Sequence, residues 1–150
     1  MKHSTIGKTF AIAAVAALAL GIAPAAKAHN KGCSNATLKG TFVHTASGFE
    51  AGGPIVGVGT DTFDGNGNIT GTATLNVNGT IMSANETGKY KVNPDCTGTY
   101  TVQFSGGGST NVYFVIADSG NEIHGICTDQ GTSVTTHTFR RQFPVGDWRE

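Results

Sequence analysis

Gly88-Lys-Tyr-Lys-Val-Asn-Pro-Asp-Cys-Thr-Gly-Thr-Tyr100 is a stretch whose residues state their own geometry. On either side of Asn93-Pro94-Asp95 bulky side chains recur at every second position, Tyr90 and Val92 before it, Tyr100, Val102 and Phe104 after it. A period of two marks half-buried strands. Asn-Pro-Asp is turn chemistry, because Pro fixes φ and Asx side chains bond nearby backbone groups. The stretch therefore reads as a β-hairpin with Cys96 just past its turn.

Similar units flank this hairpin along the whole chain. Eight strands are expected, at Thr41–Phe49, Pro54–Phe63, Asn68–Val77, Thr80–Val92, Gly98–Phe104, Thr110–Ala117, Glu122–Thr128 and Ser133–Arg141. Asp64-Gly65-Asn66-Gly67 and Asn78-Gly79 are the clearest turns between them, since both tolerate positive φ. The fourth strand is long enough to hold a bulge near Asn85 to Gly88. The chain has 22 glycines and 13% charged residues, and no stretch carries apolar residues at helical spacing, so the class is all-β. Short links force antiparallel neighbours, and eight such strands can close into an up-and-down barrel. A two-sheet β-sandwich has the same residue pattern, but the nearest-neighbour connectivity favours the barrel. Inward Gly57, Gly59, Gly71, Ala73, Ala84 and Gly88 permit strong curvature or leave interior room.

Met1 to Ala28 has the three parts of an export signal: Lys2 and Lys8, an apolar run from Phe10 to Ala23, and small residues at Ala26 and Ala28. The run is shorter than the ~20 residues a spanning helix needs. Residues 29–150 are then one domain, with 29–40 as a lead-in and 142–150 as a tail carrying the only tryptophan, Trp148. The expected location is secreted or periplasmic. Net charge is zero and no basic block occurs, which argues against a nucleic-acid partner, and no basic amphipathic segment suggests membrane binding after signal removal. Three cysteines in an exported chain suggest one disulfide and one odd thiol. In a meander Cys33 and Cys96 lie at one end and Cys127 at the other, so the expected bridge is Cys33–Cys96, with Cys127 a buried structural thiol.

Candidate chemistry rests on polar residues that share a face with bulky ones. Glu86 is in register with Met82, Ala84, Tyr90 and Val92, and Asp61 with Ile55 and Phe63. An inward carboxylate in an apolar barrel would have a raised pKa and could serve as a general acid or base. Charged residues are seldom buried unpaired, so the expectation for Glu86 is a bulge or a solvated rim position. His44, His124 and His137 lie on separate strands without metal-site spacing, and no metal or cofactor is expected. Gly106-Gly107-Gly108 lacks a following helix and Lys, so it is a linker turn rather than a phosphate loop.

Cys33-Ser-Asn-Ala-Thr-Leu-Lys-Gly-Thr-Phe42, Phe63-Asp-Gly-Asn-Gly-Asn-Ile-Thr-Gly-Thr72 and the central hairpin resemble a group of small exported bacterial proteins of unknown function. That resemblance implies a compact β-barrel in the periplasm or medium and implies no activity. More distantly, the chain is similar to allene oxide cyclase and dirigent barrels, within the broader calycin-like shape. Those barrels hold apolar ligands, but none of their catalytic motifs occurs here. Three functions are thus expected in order. The first is binding of a small apolar molecule inside the barrel, with Met82, Tyr90, Tyr100, Phe104 and Phe114 as lining candidates. The second is a cofactor-independent cyclase or isomerase using Glu86 or Asp61. The third is a structural or surface-interaction role for a filled barrel.

Overall fold

The structure is a computed structural model that describes residues 32–131 and 133–143. The segment through residue 31, which holds the expected export signal, and the tail from residue 144 lie outside the described residues. Eight antiparallel strands follow one another: β1 (Gly40–Glu50), β2 (Gly53–Phe63), β3 (Asn68–Val77), β4 (Thr80–Val92), β5 (Thr97–Phe104), β6 (Ser109–Ala117), β7 (Glu122–Cys127) and β8 (Val134–Arg141). Each pairs with the next, and β8 returns to β1 from Phe42↔Arg141 to Phe49↔Val134, which closes the barrel. Closure excludes the sandwich and leaves no strand edge exposed. The expected bulge in β4 is absent. Residues 80–89 pair one for one with β3, and Glu86 to Val92 pair one for one with β5.

Alternation sorts the side chains into two populations. Outward positions are rich in hydroxyls that bond across strands, as between Thr41 and Thr62 (3.1 Å) and between Thr74 and Ser83 (3.0 Å). Inward positions differ along the barrel axis. Toward the end where β1 begins, Leu38, Phe42, Phe63, Ile69, Tyr90, Phe114, Ile123 and Phe139 fill the interior. Their rings meet edge to face, with Phe42–Phe63 centroids 5.3 Å and Phe63–Tyr90 centroids 5.0 Å apart, the arrangement aromatic quadrupoles prefer.

The N-terminal lead-in seals this end. The short 3-10 turn Asn35–Leu38 puts Leu38, fully buried, into the base. Asn35 accepts from the Val92 backbone N–H through its side chain (2.8 Å) and from the Tyr90 hydroxyl through its carbonyl (3.0 Å). Arg141 lies over the Phe42 ring at 4.5 Å and donates to the carbonyls of Thr37 (3.0 Å) and Gly120 (2.9 Å). The Cys33–Cys96 disulfide forms as expected, with Cα atoms 4.9 Å apart, and ties the lead-in to the β4–β5 turn. Cys127 is free and half-buried rather than buried, and its thiol lies 3.5 Å from Asp129 Oδ2 at the opposite end.

A bridge spanning 63 residues removes about 4 kcal/mol of chain entropy from the unfolded state in the loop-closure account. Urea unfolding of Cys33→Ala should show a loss on the order of 2–5 kcal/mol. The same experiment on Cys127→Ala should show only a small packing change; equal losses would mean that the staple contributes nothing specific.

The β2–β3 turn yields a pH dependence. Asp64 accepts from the Asn68 side-chain amide and from the backbone N–H groups of Asn68 (2.9 Å) and Asn66 (2.7 Å), and these bonds, in that order, pull its pKa from 3.8 to about 2. A depressed carboxylate stabilises the fold above its unfolded pKa and loses that contribution as pH falls through the folded value. The thermal midpoint of Asp64→Ala should therefore lie below wild type at neutral pH, and the gap should shrink as pH drops from 3.8 toward 2. A gap that stays constant through this range would contradict the assignment.

Candidate binding cavity

The half of the barrel toward the β1–β2 and β5–β6 turns is hollow. A cavity of about 490 Å³ opens there, walled by Ala46, Ile55, Leu75, Met82, Ala84 and Phe104 and bordered at its mouth by Gly106–Gly108. The small side chains that matter are alanines. The space above Gly57 is taken by Leu75, whose Cδ2 would lie 2.5 Å from an added Cβ, and above Gly59 and Gly88 the neighbouring backbone comes within 2.0 Å of one. Glycine thus sets curvature, and Ala46 and Ala84 leave the room.

The cavity floor is polar, and it is built by strand parity. On β1, His44 follows Phe42 on the inward face; on β8, His137 precedes Phe139. β1–β8 pairing brings the two imidazoles together, with His44 Nε2 and His137 Nδ1 sharing a 3.0 Å hydrogen bond. His137 Nε2 shares another, also 3.0 Å, with the Thr135 hydroxyl. The His44 ring stacks on Phe139 with centroids 4.3 Å apart, which fixes its plane. Its Nδ1 lies 3.3 Å from Asp61 Oδ2.

Asp61 and Glu86 are 1% and 3% exposed, so both point inward. For Glu86 this overturns the expected bulge or rim position: without the bulge, its parity with Tyr90 and Ala84 holds. Asp61, Gly71 and Glu86 are successive partners across β2, β3 and β4. A Cβ on Gly71 would lie 2.0 Å from Asp61 Oδ1, so only glycine there lets the Asp61 carboxylate lean toward Glu86. Burial, then the repulsion of Asp61, raises the Glu86 pKa from 4.5 to about 7, with His44 opposing. Burial, then His44, lowers His137 to about 4. Both carboxylates keep the inward direction that an acid–base role requires.

Of the five lining candidates, Met82, Tyr100 and Phe104 border the cavity. Tyr90 and Phe114 instead belong to the packed base, where the Tyr90 hydroxyl accepts from the Gly65 N–H (2.9 Å). Parity had assigned them the correct face, but it carries no information on height along the axis. His44, His137 and Thr135 were missed as site residues although His44 and His137 alternate in step with a buried Phe. His124 faces out and pairs with Glu122 at 3.1 Å.

The Gly71 contact can be tested by a double-mutant cycle. Gly71→Ala should destabilise by roughly 1–3 kcal/mol, the usual cost of overpacking. In an Asp61→Ala background the same change should cost at least about 0.5 kcal/mol less, because the nearer clashing oxygen is gone while the Thr60 carbonyl, 2.5 Å from the added Cβ, remains. Additivity of the two substitutions in urea unfolding would show that Gly71 serves another purpose.

No protein-family model matches this chain, and no curated protein does. Among solved structures it is similar to a redesigned β-barrel, at 20% identity with a TM-score of 0.55 over 73% of this chain and 95% of that one. A second redesigned barrel, mFAP1, described as bound to DFHBI, is 19% identical with a TM-score of 0.55 over 71% of this chain and 97% of that one. A de novo designed fluorescence-activating barrel is 15% identical, with a TM-score of 0.52 over 69% and 93%. At these identities the likeness concerns the fold: a closed, eight-stranded, antiparallel barrel.

Proposed function

We propose that this protein is exported and works as a binding module, holding a small, largely apolar molecule in the open half of its barrel. The observation that carries the reading is the cavity of about 490 Å³, sealed at the base and open at the mouth. Its size falls within the ~300–1,000 Å³ usual for small-molecule sites, and its make-up, apolar walls around a few convergent polar groups, is that of such sites. The walls suit an apolar body, and the His44–Asp61–Glu86 floor suits one polar end. Export is supported by the leader pattern of residues 1–28 and by the Cys33–Cys96 bridge, a bond that persists in oxidising compartments. A designed neighbour described as bound to a small fluorophore supports the capacity of a barrel of this size to take a guest.

An uncharged, environment-sensitive naphthalene fluorophore titrated into the oxidised protein tests this reading. Saturable one-to-one binding is expected in wild type, and Ala84→Phe, which fills the cavity, should weaken it about tenfold or more, or ~1.4 kcal/mol. A control at the exposed outer residues Val56 and Ile81, both changed to Thr, should leave it unchanged. Fluorophore binding lost in the control and kept in Ala84→Phe would place the guest on the barrel exterior and overturn the proposal.

A further inference from the structure

His44 on β1, Asp61 on β2 and Glu86 on β4 each bring one metal-ligating atom into the cavity floor, and these atoms lie within 4.8 Å of one another. The geometry points to a binding site for one divalent first-row transition-metal ion of the zinc class, held by these three side chains with a coordination position open to the cavity. No local spacing points to it, because the three residues lie 17 and 25 positions apart (44 to 61, 61 to 86) and converge only through barrel pairing.

A separate observation asks for a cation. Asp61 Oδ1 is buried and has no hydrogen-bond partner, while it leans over Gly71 toward Glu86. A buried acceptor left unmet is costly, more so when it belongs to a carboxylate. No Lys or Arg among the described residues lines the cavity, and Arg141 is committed to carbonyls at the sealed base. Coordination takes the imidazole in its neutral form and both carboxyl groups in their anionic form, two negative charges that one divalent ion neutralises.

The donor set and its support fit the same ion. One nitrogen and two carboxylate oxygens suit zinc-class metals, and three protein ligands with a free fourth position is the arrangement of open zinc sites. The 3.3 Å between His44 Nδ1 and Asp61 Oδ2 exceeds the ~2.7–2.9 Å of a charge-assisted hydrogen bond. It equals the edge of a tetrahedron with bonds of about 2.0 Å. Behind the donors, His44 Nε2 bonds to His137, which bonds to Thr135. A ligating imidazole is ordinarily oriented by such a partner on its other nitrogen. With Nδ1 on the metal, the proton sits on Nε2 and points at His137. Asp61 and Glu86 also stand side by side rather than across the cavity, so they converge on one point instead of flanking a guest.

The inference does not depend on an apolar guest and is tested with the metal alone. The oxidised full-length mature chain, stripped with chelator, is titrated with Zn²⁺ by calorimetry and with Co²⁺ by visible absorption. One equivalent should bind, Co²⁺ should show the intense bands of a low-coordinate site, and metal should raise the thermal midpoint. Asp61→Asn and His44→Ala should each weaken binding by about 100-fold or more, and His137→Ala by about 10- to 100-fold. Glu86→Gln provides the same test should either of the first two fail to fold. His124→Ala, which alters the exposed His124–Glu122 pair, should bind as wild type does. No uptake of either metal at about 1 mM, or uptake unaltered by the cavity substitutions, overturns the site.

Discussion

Pairing of β8 with β1 is the constraint on which everything else here depends. Eight residue pairs, from Phe42↔Arg141 to Phe49↔Val134, convert a string of hairpins into a closed surface with an inside. Once closed, strand alternation alone decides which side chains face inward. The same ladder brings His44 beside Phe139 and His137 although 93 residues separate the two histidines. It also carries Arg141 to the base, where its guanidinium meets the carbonyls of the N-terminal turn. Without that ladder the chain would have two exposed edges, no sealed end and no polar cluster.

Inside the closed surface, side-chain size divides the axis into two regimes. Phenylalanine, tyrosine, leucine and isoleucine meet at the base and exclude solvent; Ala46 and Ala84 face the other half and cannot span it. The polar floor sits at the boundary between the two. Its position explains its electrostatics: the packed aromatic layer below removes solvent, so burial is the largest cause of the shifts at Glu86, His137 and Tyr100. Tyr100, held well above its ordinary pKa by burial and then by Asp61, stays a neutral phenol beside two carboxyl groups. The site combines a rigid underside with an open upper side, which is a sound arrangement for a preorganised ligand floor.

Much of this is legible in the sequence. The hairpin around Asn93-Pro94-Asp95, the Asp64-Gly65-Asn66-Gly67 turn and the period-two runs place all eight strands to within one residue at every end, and strand counting pairs Cys33 with Cys96. Glu86 is the instructive case. Its parity placed it inside, but the rule that charges avoid unpaired burial argued for a bulge or rim. Continuous pairing of β4 with both neighbours shows parity prevailing, and a pKa near 7 eases the burial cost that the rule anticipates. Tyr90 and Phe114 show the complementary limit, since an alternating pattern gives a face and not a depth. The meeting of His44, Asp61 and Glu86 required the register of three strand pairs, which no local pattern encodes.

The central claim is that one half of this barrel is hollow and the other half packed, and xenon pressurisation followed by methyl NMR tests it most directly. Xenon enters apolar cavities and leaves close-packed interiors alone. The methyl resonances of Ala46, Leu75, Met82 and Ala84 should shift with xenon pressure, and those of Leu38, Val92 and Ile123 should not. Shifts spread evenly over both sets, or confined to the base, would contradict the division of the interior on which the account rests.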